Sequence, residues 1–362
     1  MLARPMLLYG QFPAATLDRI DEAAKQAACS LTRAETIEQA LAWLEGNEAH
    51  AVLCNSAQSE NLAVQTRSRS RWSKLPVLAL AESLGDLEFI SAFSWGADDV
   101  VRVDSVRPLA ARLRALPKEA PSPPLEKRGE ALVAETEHTR RIAVARVLRN
   151  AGFAIRFAVT ASDADAFAQD PSLTLVVVNK ELFTNPVSTI QAARAANSQA
   201  SFIICSAPRD LKQDRTAVTG LSAVTVTDGY TAPENVLFVA NELTNGRVNN
   251  RASPRVPYGT SVAFRSAGRD HDEHGFSYNA SEKGLYVRSL FLPEDDEVWL
   301  ELCLPRMERR VRLVGRVAWR RPFNYSDSAT VPPGFGVELM DGAAKDRALW
   351  CEGYNKLIAS IG

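Results

Sequence analysis

Cysteine, histidine and net charge are all scarce in this sequence. Its 362 residues include five cysteines and four histidines, and 42 Lys and Arg residues almost cancel 43 Asp and Glu residues, for a net charge of −1. An odd number of cysteines without a C-x-x-C pair argues against a disulfide framework and indicates reduced thiols, as expected in a cytoplasm. Without a domain-wide basic field, binding to a nucleic-acid polymer is disfavoured.

Long apolar runs and the usual catalytic motifs are also missing. Nowhere do about 18 apolar residues follow one another, so no membrane span is predicted and the protein is expected to be soluble and cytoplasmic. The sequence has no G-x-S-x-G, Walker loop or H-E-x-x-H motif, and therefore no enzyme is predicted. Two polar clusters have ordinary interpretations: Asp270–His274 is expected to be a solvated loop rather than a metal site, and Arg67–Arg71 a solvated helix end.

The first two thirds of the chain alternate short apolar runs with helical patterns. Residues 6–9, 51–54, 75–80 and 100–103 are apolar almost throughout. Strands that are buried on both faces have this composition, which is typical of a parallel sheet covered by helices.

A Pro-rich, charged segment at 118–129 interrupts this pattern and is predicted to be a linker. The pattern then repeats, with apolar runs at 173–178 and 202–205. The asparagines that end the corresponding runs, Asn55 and Asn179, are 179 − 55 = 124 residues apart, which is about one domain length. The sequence therefore predicts a duplicated α/β domain.

The last third contains strands of a different kind. Residues 260–264, 298–304, 311–319 and 334–339 alternate apolar and polar side chains with period two, as the strands of a barrel do. The apolar positions of the final stretch, 343–360, indicate a helix that closes the barrel. The predicted division of the chain is a first α/β domain (1–117), the linker (118–129), a second α/β domain (130–246) and the C-terminal domain (247–362).

Two small polar clusters in the C-terminal domain carry recognisable chemistry. Arg251 and Arg255 lie four residues apart in a Pro-containing segment that is expected to be extended. A guanidinium is permanently charged, offers a planar fork of donors to phosphate, and can stack its face on a purine. Asn279 and Ser281 add an amide and a hydroxyl, and Gly284 leaves room for backbone to approach a ligand. Together they predict a pocket for a flat, dianionic nucleotide.

This ordered set of motifs resembles a PilZ domain. The resemblance rests on RxxxR, NxSxxG, GRVAW and PPGFGVEL, and the last of these, with YxASxxGLYVR, is similar to a PilZ subgroup of myxobacteria. It implies a six-stranded antiparallel barrel that binds cyclic di-GMP. The two arginines would contact phosphates and guanines, and the Asn, Ser and Gly of the second cluster would lie on the strand that faces them. Asn279 stands where the family often has Asp, and Asn250 where it often has a further basic residue.

The two α/β domains resemble the receiver domains of response regulators. The resemblance rests on ALVAETE, LVVVN and GADD, and it implies a flavodoxin-like (βα)5 fold for each domain. Receivers accept phosphate on a carboxylate that ends the third strand, where this chain has Asn55 and Asn179. An amide cannot form an acyl phosphate and brings no charge to bind magnesium. Val103 stands at one lysine position and Asp228 or a neighbour at the other, so both domains are expected to be pseudo-receivers for docking or dimerisation.

These features predict a signalling adaptor with cyclic di-GMP as its ligand and no cofactor. The ligand would reorient the PilZ-like domain against the second pseudo-receiver, and the result would pass to an unidentified protein partner, for example in motility or secretion machinery. Homodimerisation through the receiver-like domains is a further expectation. Two alternatives are a ligand-independent scaffold of degenerate domains and a phosphorylation-controlled response regulator. The intact arginine and NxSxxG motifs argue against the first, and the receiver asparagines against the second.

Overall fold

A computed structural model describes residues 3–118, 128–228, 233–244, 253–305, 307–324, 331–340 and 343–361. Most of the predicted linker at 118–129 lies outside these residues, and so does Arg251.

The first domain is a parallel sheet of five strands with helices on both faces. Leu7 packs into the core on one face of the sheet and Leu53 into the core on the other, and both are fully buried. Its elements are β1 (Arg4–Tyr9), α1 (Ala14–Gln26), β2 (Cys29–Ala34), α2 (Ile37–Gly46), β3 (Ala51–Asn55), α3 (Glu60–Ser68), β4 (Val77–Ala81), α4 (Asp86–Ser94), β5 (Asp99–Arg102) and α5 (Val106–Ala115). The strand order is β2-β1-β3-β4-β5.

The second domain repeats this architecture. Its elements are β6 (Glu130–Ala134), α6 (His138–Asn150), β7 (Ala154–Ala158), α7 (Ala161–Ala168), β8 (Leu173–Asn179), α8 (Pro186–Ala195), β9 (Ser201–Cys205), α9 (Leu211–Ala217), β10 (Val224–Thr227) and α10 (Pro233–Thr244). The order β7-β6-β8-β9-β10 is that of the first domain, strand for strand. The predicted pair of flavodoxin-like domains is confirmed.

The third domain is a closed antiparallel barrel followed by a helix. Its elements are β11 (Val256–Pro257), β12 (Ser261–Ser266), β13 (Glu273–Ser281), β14 (Gly284–Arg288), β15 (Glu297–Cys303), β16 (Arg310–Arg321), β17 (Gly334–Leu339) and α11 (Ala344–Ile361). The ring runs β13-β12-β15-β16-β17-β14 and closes because β14 also pairs with β13, while short β11 continues the pairing beside β13. Trp350 of α11 is fully buried in the barrel core, and its Nε1 donates to the carbonyls of Ser281 and Glu282. The predicted six-stranded barrel with a C-terminal helix is confirmed.

Asp98, in the GADD sequence before β5, links the first domain to the second. Its carboxylate accepts a hydrogen bond from Arg67 at 2.7 Å and pairs with Arg146 of α6. Arg67 is 0% exposed and also donates to four backbone carbonyls. The sequence-based prediction of a solvated helix end was therefore wrong for Arg67, because the chain after α3 wraps its carbonyls around the guanidinium.

The neighbouring Asp99 links the first domain to the barrel. Its carboxylate accepts from Arg112 at 3.0 Å and from the backbone N–H of Leu290 at 2.9 Å. Arg112 in turn donates to Glu273 at 2.6 Å and to the carbonyl of His274 at 2.7 Å, both on β13. The sequence analysis interpreted Asp270–His274 as a solvated loop. This was wrong for Glu273, which is buried because β13 begins there and faces α5.

Arg288, at the end of β14, contacts both α/β domains. It donates to the carbonyl of Ala97 at 2.7 Å, pairs with Glu234 of α10 at 3.0 Å, and lies over the ring of Phe93 at 3.4 Å from its centroid. The hydroxyl of Tyr278 on β13 donates to the carbonyl of Glu234 at 2.9 Å. The barrel is thus bonded to both preceding domains through buried polar groups.

Apolar packing reinforces the junction between the barrel and the first domain. Phe276 of β13 belongs to the core of the first domain, with its ring 5.3 Å from that of Phe89 and 5.7 Å from that of Phe93. Among the helices of the described residues, none has the length and apolar character needed to cross a bilayer.

Candidate functional site

The hairpin of β13 and β14 positions three of the predicted site residues. Asn279 lies opposite Tyr286 and Ser281 opposite Gly284, so all three predicted residues lie near the hairpin turn. The Ser281 hydroxyl donates to the Gly284 carbonyl at 3.2 Å, and Asn279 is largely buried. The amide and hydroxyl are therefore held by backbone pairing rather than by a loop.

Gly284 is required by the barrel itself. A Cβ at this position would lie 2.3 Å from the carbonyl oxygen of Val337 on β17, closer than real Cβ contacts. The sequence analysis explained Gly284 by the close approach of a ligand. In the structure, the missing side chain leaves room for the backbone of β17. Gly284 still lines the cavity described next.

Arg255 approaches the same hairpin from the chain that enters the barrel. It directly precedes β11, which pairs with β13 at Ala280 and Asn279. The carbonyl of Pro254 accepts a hydrogen bond from the hydroxyl of Tyr354 at 2.8 Å, which ties this segment to α11. The side chain of Arg255 is exposed.

These residues surround one cavity of about 260 Å³. This is slightly smaller than the usual range of small-molecule sites, about 300 to 1,000 Å³. It contains four of the five predicted site residues, and the fifth, Arg251, lies outside the described residues. The lining consists of Arg255, Asn279, Ser281, Lys283, Gly284, Leu285, Tyr286, Ala318, Trp319, Gly336, Val337 and Glu338.

Trp319 and Tyr286 add an aromatic wall that was not among the predicted site residues. Their rings stack with centroids 4.8 Å apart, and the Trp319 side chain remains 38% exposed. Gly336 makes room for the indole, since a Cβ there would lie 2.3 Å from its Nε1. The Tyr286 hydroxyl donates to the carbonyl of Pro332 at 2.6 Å, and burial raises its pKa. The available sequence signal was the tryptophan of GRVAW, which could be part of the barrel wall or, near the end of its strand, could border a ligand.

The charges around the cavity are compatible with an anionic ligand. Arg255 and Lys283 supply positive charge, and the carboxylate of Glu338 is the opposing group. Glu338 pairs with Arg316 at 2.6 Å, outside the cavity lining, which offsets its charge. The site thus combines cations, an amide, a hydroxyl and an open aromatic face.

In the first α/β domain, amide groups occupy the edge of the sheet at the carboxyl ends of β1 and β3. The Asn55 amide donates to the carbonyl of Gln11 at 2.7 Å, and the Gln58 side chain accepts from the Gln11 N–H at 3.0 Å. Val103 is buried, and its carbonyl accepts from Arg19 at 2.8 Å. None of these described contacts involves a carboxylate.

In the second α/β domain, an arginine pairs with the carboxylate that follows β6. Asn179 donates to both oxygens of Glu135 at 3.2 Å, and Arg140 pairs with the same carboxylate at 3.2 Å. The guanidinium therefore neutralises the acidic residue from within the chain. Within the described ranges, there is no group of three or more His, Cys, Asp or Glu side chains that could hold a metal ion.

No protein-family model matches the chain, and no curated protein matches it. Parts of it are similar to solved structures. With the Bacillus subtilis inhibitor of motility (MotI/DgrA), 32% of this chain covers 54% of that chain at 20% identity and a TM-score of 0.25, so the chain spans about half of that protein. With the PilZ domain of CeSA from a cellulose-synthesising bacterium, 29% of this chain covers 99% of that chain at 14% identity and a TM-score of 0.22. With a two-component response regulator/GGDEF domain protein, 66% of this chain covers 98% of that chain at 20% identity and a TM-score of 0.28.

The strand pairing within the chain defines its architecture. Two (βα)5 domains of identical strand order precede a closed six-stranded barrel with a C-terminal helix. The chain is a tandem of two flavodoxin-like α/β domains and a closed six-stranded antiparallel barrel with a C-terminal helix.

Proposed function

We propose that this chain is a cyclic di-GMP receptor that acts as a signalling adaptor. The observation that carries the proposal is the cavity of about 260 Å³, around which Arg255, Asn279, Ser281 and Gly284 come together. The cations, the hydrogen-bonding groups and the exposed indole correspond to the phosphates, base edges and purine faces of such a ligand.

Each group in the cavity has a distinct part in this binding mode. Arg255 would contact a phosphate or guanine, with Arg251 as its second arm. Asn279 and Ser281 would donate to or accept from the base and ribose edges. Trp319 has one face against Tyr286, so its open face would stack on a guanine, an interaction worth about 1 to 3 kcal/mol per base.

The strands that hold the ligand would also transmit its effect. β13 carries Asn279 next to Tyr278, whose hydroxyl bonds to α10 of the second domain. β14 runs from Gly284 at the cavity to Arg288 at the domain junction. Ordering of the arginine arm by the ligand would shift the barrel against the second pseudo-receiver, and a protein partner in the cytoplasm would detect the shift.

Titration calorimetry with cyclic di-GMP tests the proposal. The parent chain is expected to bind cyclic di-GMP with a submicromolar to micromolar Kd, which corresponds to a favourable binding free energy of about 8 to 10 kcal/mol. Arg251→Ala and Arg255→Ala should each weaken binding by about 10- to 150-fold, because each removes a charge-assisted contact. Lysine at either position should restore only part of the loss.

Arg269→Ala is the matched control. Arg269 pairs with Glu294 on the surface, away from the cavity lining, so its removal should leave the Kd unchanged. Cyclic di-AMP serves as the ligand control. Absence of heat with about 100 micromolar cyclic di-GMP, or unchanged binding by both arginine variants, would refute the proposed site.

A further inference from the structure

Glu338 supplies a carboxylate to the candidate ligand cavity, and the binding mode described above gives this group no part. The residue lies on β17, where the neighbouring Val337 is buried in the barrel core, so Glu338 is on the outer face of the barrel. A carboxylate reduces the affinity for a phosphodiester through like-charge repulsion unless it makes a favourable contact of its own. Its surroundings indicate what that contact is.

Glu338 lies beside the aromatic wall of the cavity. Trp319 is opposite Gly336 across β16 and β17, and its indole takes the space that a Cβ at Gly336 would occupy. Gly336 and Glu338 are two residues apart on the same face of one strand, a separation of about 7 Å. A purine stacked on the indole covers such a distance once a hydrogen bond of about 3 Å is added at its edge. The edge of that purine would therefore be within reach of the Glu338 carboxylate.

Arg316 holds the Glu338 side chain and leaves it accessible. The two residues are directly opposite on β16 and β17, and Arg316 donates to Oε2 of Glu338 at 2.6 Å. A carboxylate has about four acceptor positions, so this one contact leaves most of them for a ligand. The Glu338 side chain is 53% exposed, and its neighbour across β14 is Gly284, which has no side chain to cover it.

The hydrogen-bonding edge of guanine is complementary to a carboxylate. Guanine presents the N1–H and the 2-amino group side by side, and the two oxygens of a carboxylate accept from such a pair of donors. Adenine has an unprotonated N1 and no amino group at C2, so it would place a lone pair against the carboxylate. A group that attracts one base and repels the other provides specificity in both ways.

We propose that Glu338 selects guanine by accepting hydrogen bonds from the N1–H and 2-amino group of one base, with Arg316 as the residue that positions it. This inference rests on the proposed function, since it requires a cyclic dinucleotide in the cavity with a base on Trp319. In this binding mode, Arg255 and its partners supply affinity and Glu338 supplies discrimination between bases.

Cyclic di-IMP tests the assignment, because its bases differ from guanine only by the missing 2-amino group. Calorimetric titration of each variant with cyclic di-GMP and with cyclic di-IMP gives two Kd values and their ratio. The parent chain should bind cyclic di-GMP more tightly by roughly 5- to 20-fold. In Glu338→Ala the preference should fall to about 2-fold or less, mainly because the affinity for cyclic di-GMP decreases.

Glu301→Ala is the matched control. Glu301 is a glutamate on the neighbouring strand β15, pairs with Arg310 and Arg312, and lies outside the cavity lining. Its removal should leave both Kd values and their ratio unchanged. Arg316→Ala should lower the ratio in part, and Arg316→Lys should restore some of it, because lysine keeps the charge without the fork of donors. A purely structural role of Arg316 would alter the thermal melt and leave the ratio as it is.

The possible outcomes separate this inference from the function on which it rests. Binding of cyclic di-GMP with an unchanged ratio in Glu338→Ala would overturn the inference and leave the receptor function standing, and so would an equal loss for both dinucleotides. Absence of cyclic di-GMP binding by the parent would refute the receptor function itself, and the inference with it. Thermal melts without ligand verify folding. If Glu338→Ala does not fold, Glu338→Gln provides the test: it keeps one acceptor oxygen and should lower the ratio by a smaller factor, and an unchanged ratio would contradict the assignment.

Discussion

Two exposed tryptophans of the barrel differ in what surrounds them. Trp319 lines the candidate ligand cavity, stacked on Tyr286, whereas Trp299 on β15 lies outside that lining beneath the guanidinium of Arg265, 4.7 Å from its ring centroid. Both are large apolar groups that remain partly in water, at 38% and 47% exposure. The pair offers a direct comparison between an aromatic that faces a ligand and one that does not.

Trp319→Ala should weaken cyclic di-GMP binding by about 5- to 150-fold, because stacking on a base contributes about 1 to 3 kcal/mol. Trp319→Phe should retain part of the affinity. Calorimetric titration gives the Kd, and thermal melts without ligand verify that the barrel is intact. Trp299→Ala should bind as the parent does. Equal affinities for both alanine variants would remove Trp319 from the site.

Residue types with a dedicated chemistry were predictable from the sequence, and their partners were not. Asn279 and Ser281 stand out because they occur in a spaced motif, and the structure places both in one cavity. Arg67 and Asp98 lie in the RSRSR run and in GADD, and neither pattern predicts that they pair with each other. Their burial depends on carbonyls and side chains that are distant in the sequence. The sequence alone does not show whether a charged residue is surrounded by water or by protein.

At the level of elements, β13 connects the site with the domain junction. Asn279 near its end lines the cavity, while Glu273 and His274 at its beginning face the first domain. Burial, with the charges of Arg102 and Arg112, holds the pKa of the His274 imidazole below its usual 6.5, although Asp272 and Glu273 oppose this. The folded protein therefore favours the neutral imidazole at this position.

The free energy of unfolding should fall as pH is lowered below about 6.5. As pH falls, the unfolded chain binds a proton at His274 at a higher pH than the folded protein does. The contribution of this residue to the free energy of unfolding is therefore fully present above pH 6.5 and is lost as pH falls through the depressed folded-state pKa. Denaturant unfolding between about pH 8 and pH 5.5 measures this slope. His274→Gln should flatten the profile, whereas His138→Gln, at the exposed start of α6, should not. A profile that His274→Gln leaves unchanged would exclude this residue as the source.

The central strands were predictable because they are buried on both faces, whereas the edge strands β2 and β7 were not. β3 and β8 are nearly continuous apolar runs. β2, with the sequence CSLTRA, and β7, with AIRFA, lie at sheet edges and have exposed or half-exposed positions. An edge strand owes its place to backbone pairing with one neighbour, which leaves little trace in hydropathy.

At the level of the whole molecule, buried ion pairs hold the three domains together. Arg112 is 1% exposed and satisfies Asp99 of its own domain and Glu273 of the barrel at the same time. Removing one partner of a buried pair leaves an uncompensated charge, which is more damaging than the absence of the whole pair. This arrangement predicts an unusually sensitive position far from the ligand cavity.

Arg112→Met should destabilise the protein by about 3 to 5 kcal/mol, since two carboxylates would remain buried without their cation. Denaturant unfolding followed by tryptophan fluorescence measures the loss. Arg69→Ala is the matched control: its pair with Glu45 is about half exposed, so it should cost less than about 1 kcal/mol. Similar losses in both variants would mean that the domain junction contributes no more than the surface does.

The buried faces of the barrel also limit how this chain can be recombined with others. If the barrel were separated from its neighbours, Phe276, Glu273 and Arg288 would be brought from the interior into water. A fusion protein that contained the barrel alone would therefore expose an aggregation-prone apolar patch together with unpaired charges. Transfer of the barrel to another protein would require new residues on the face that β13 and β14 now turn toward α4, α5 and α10.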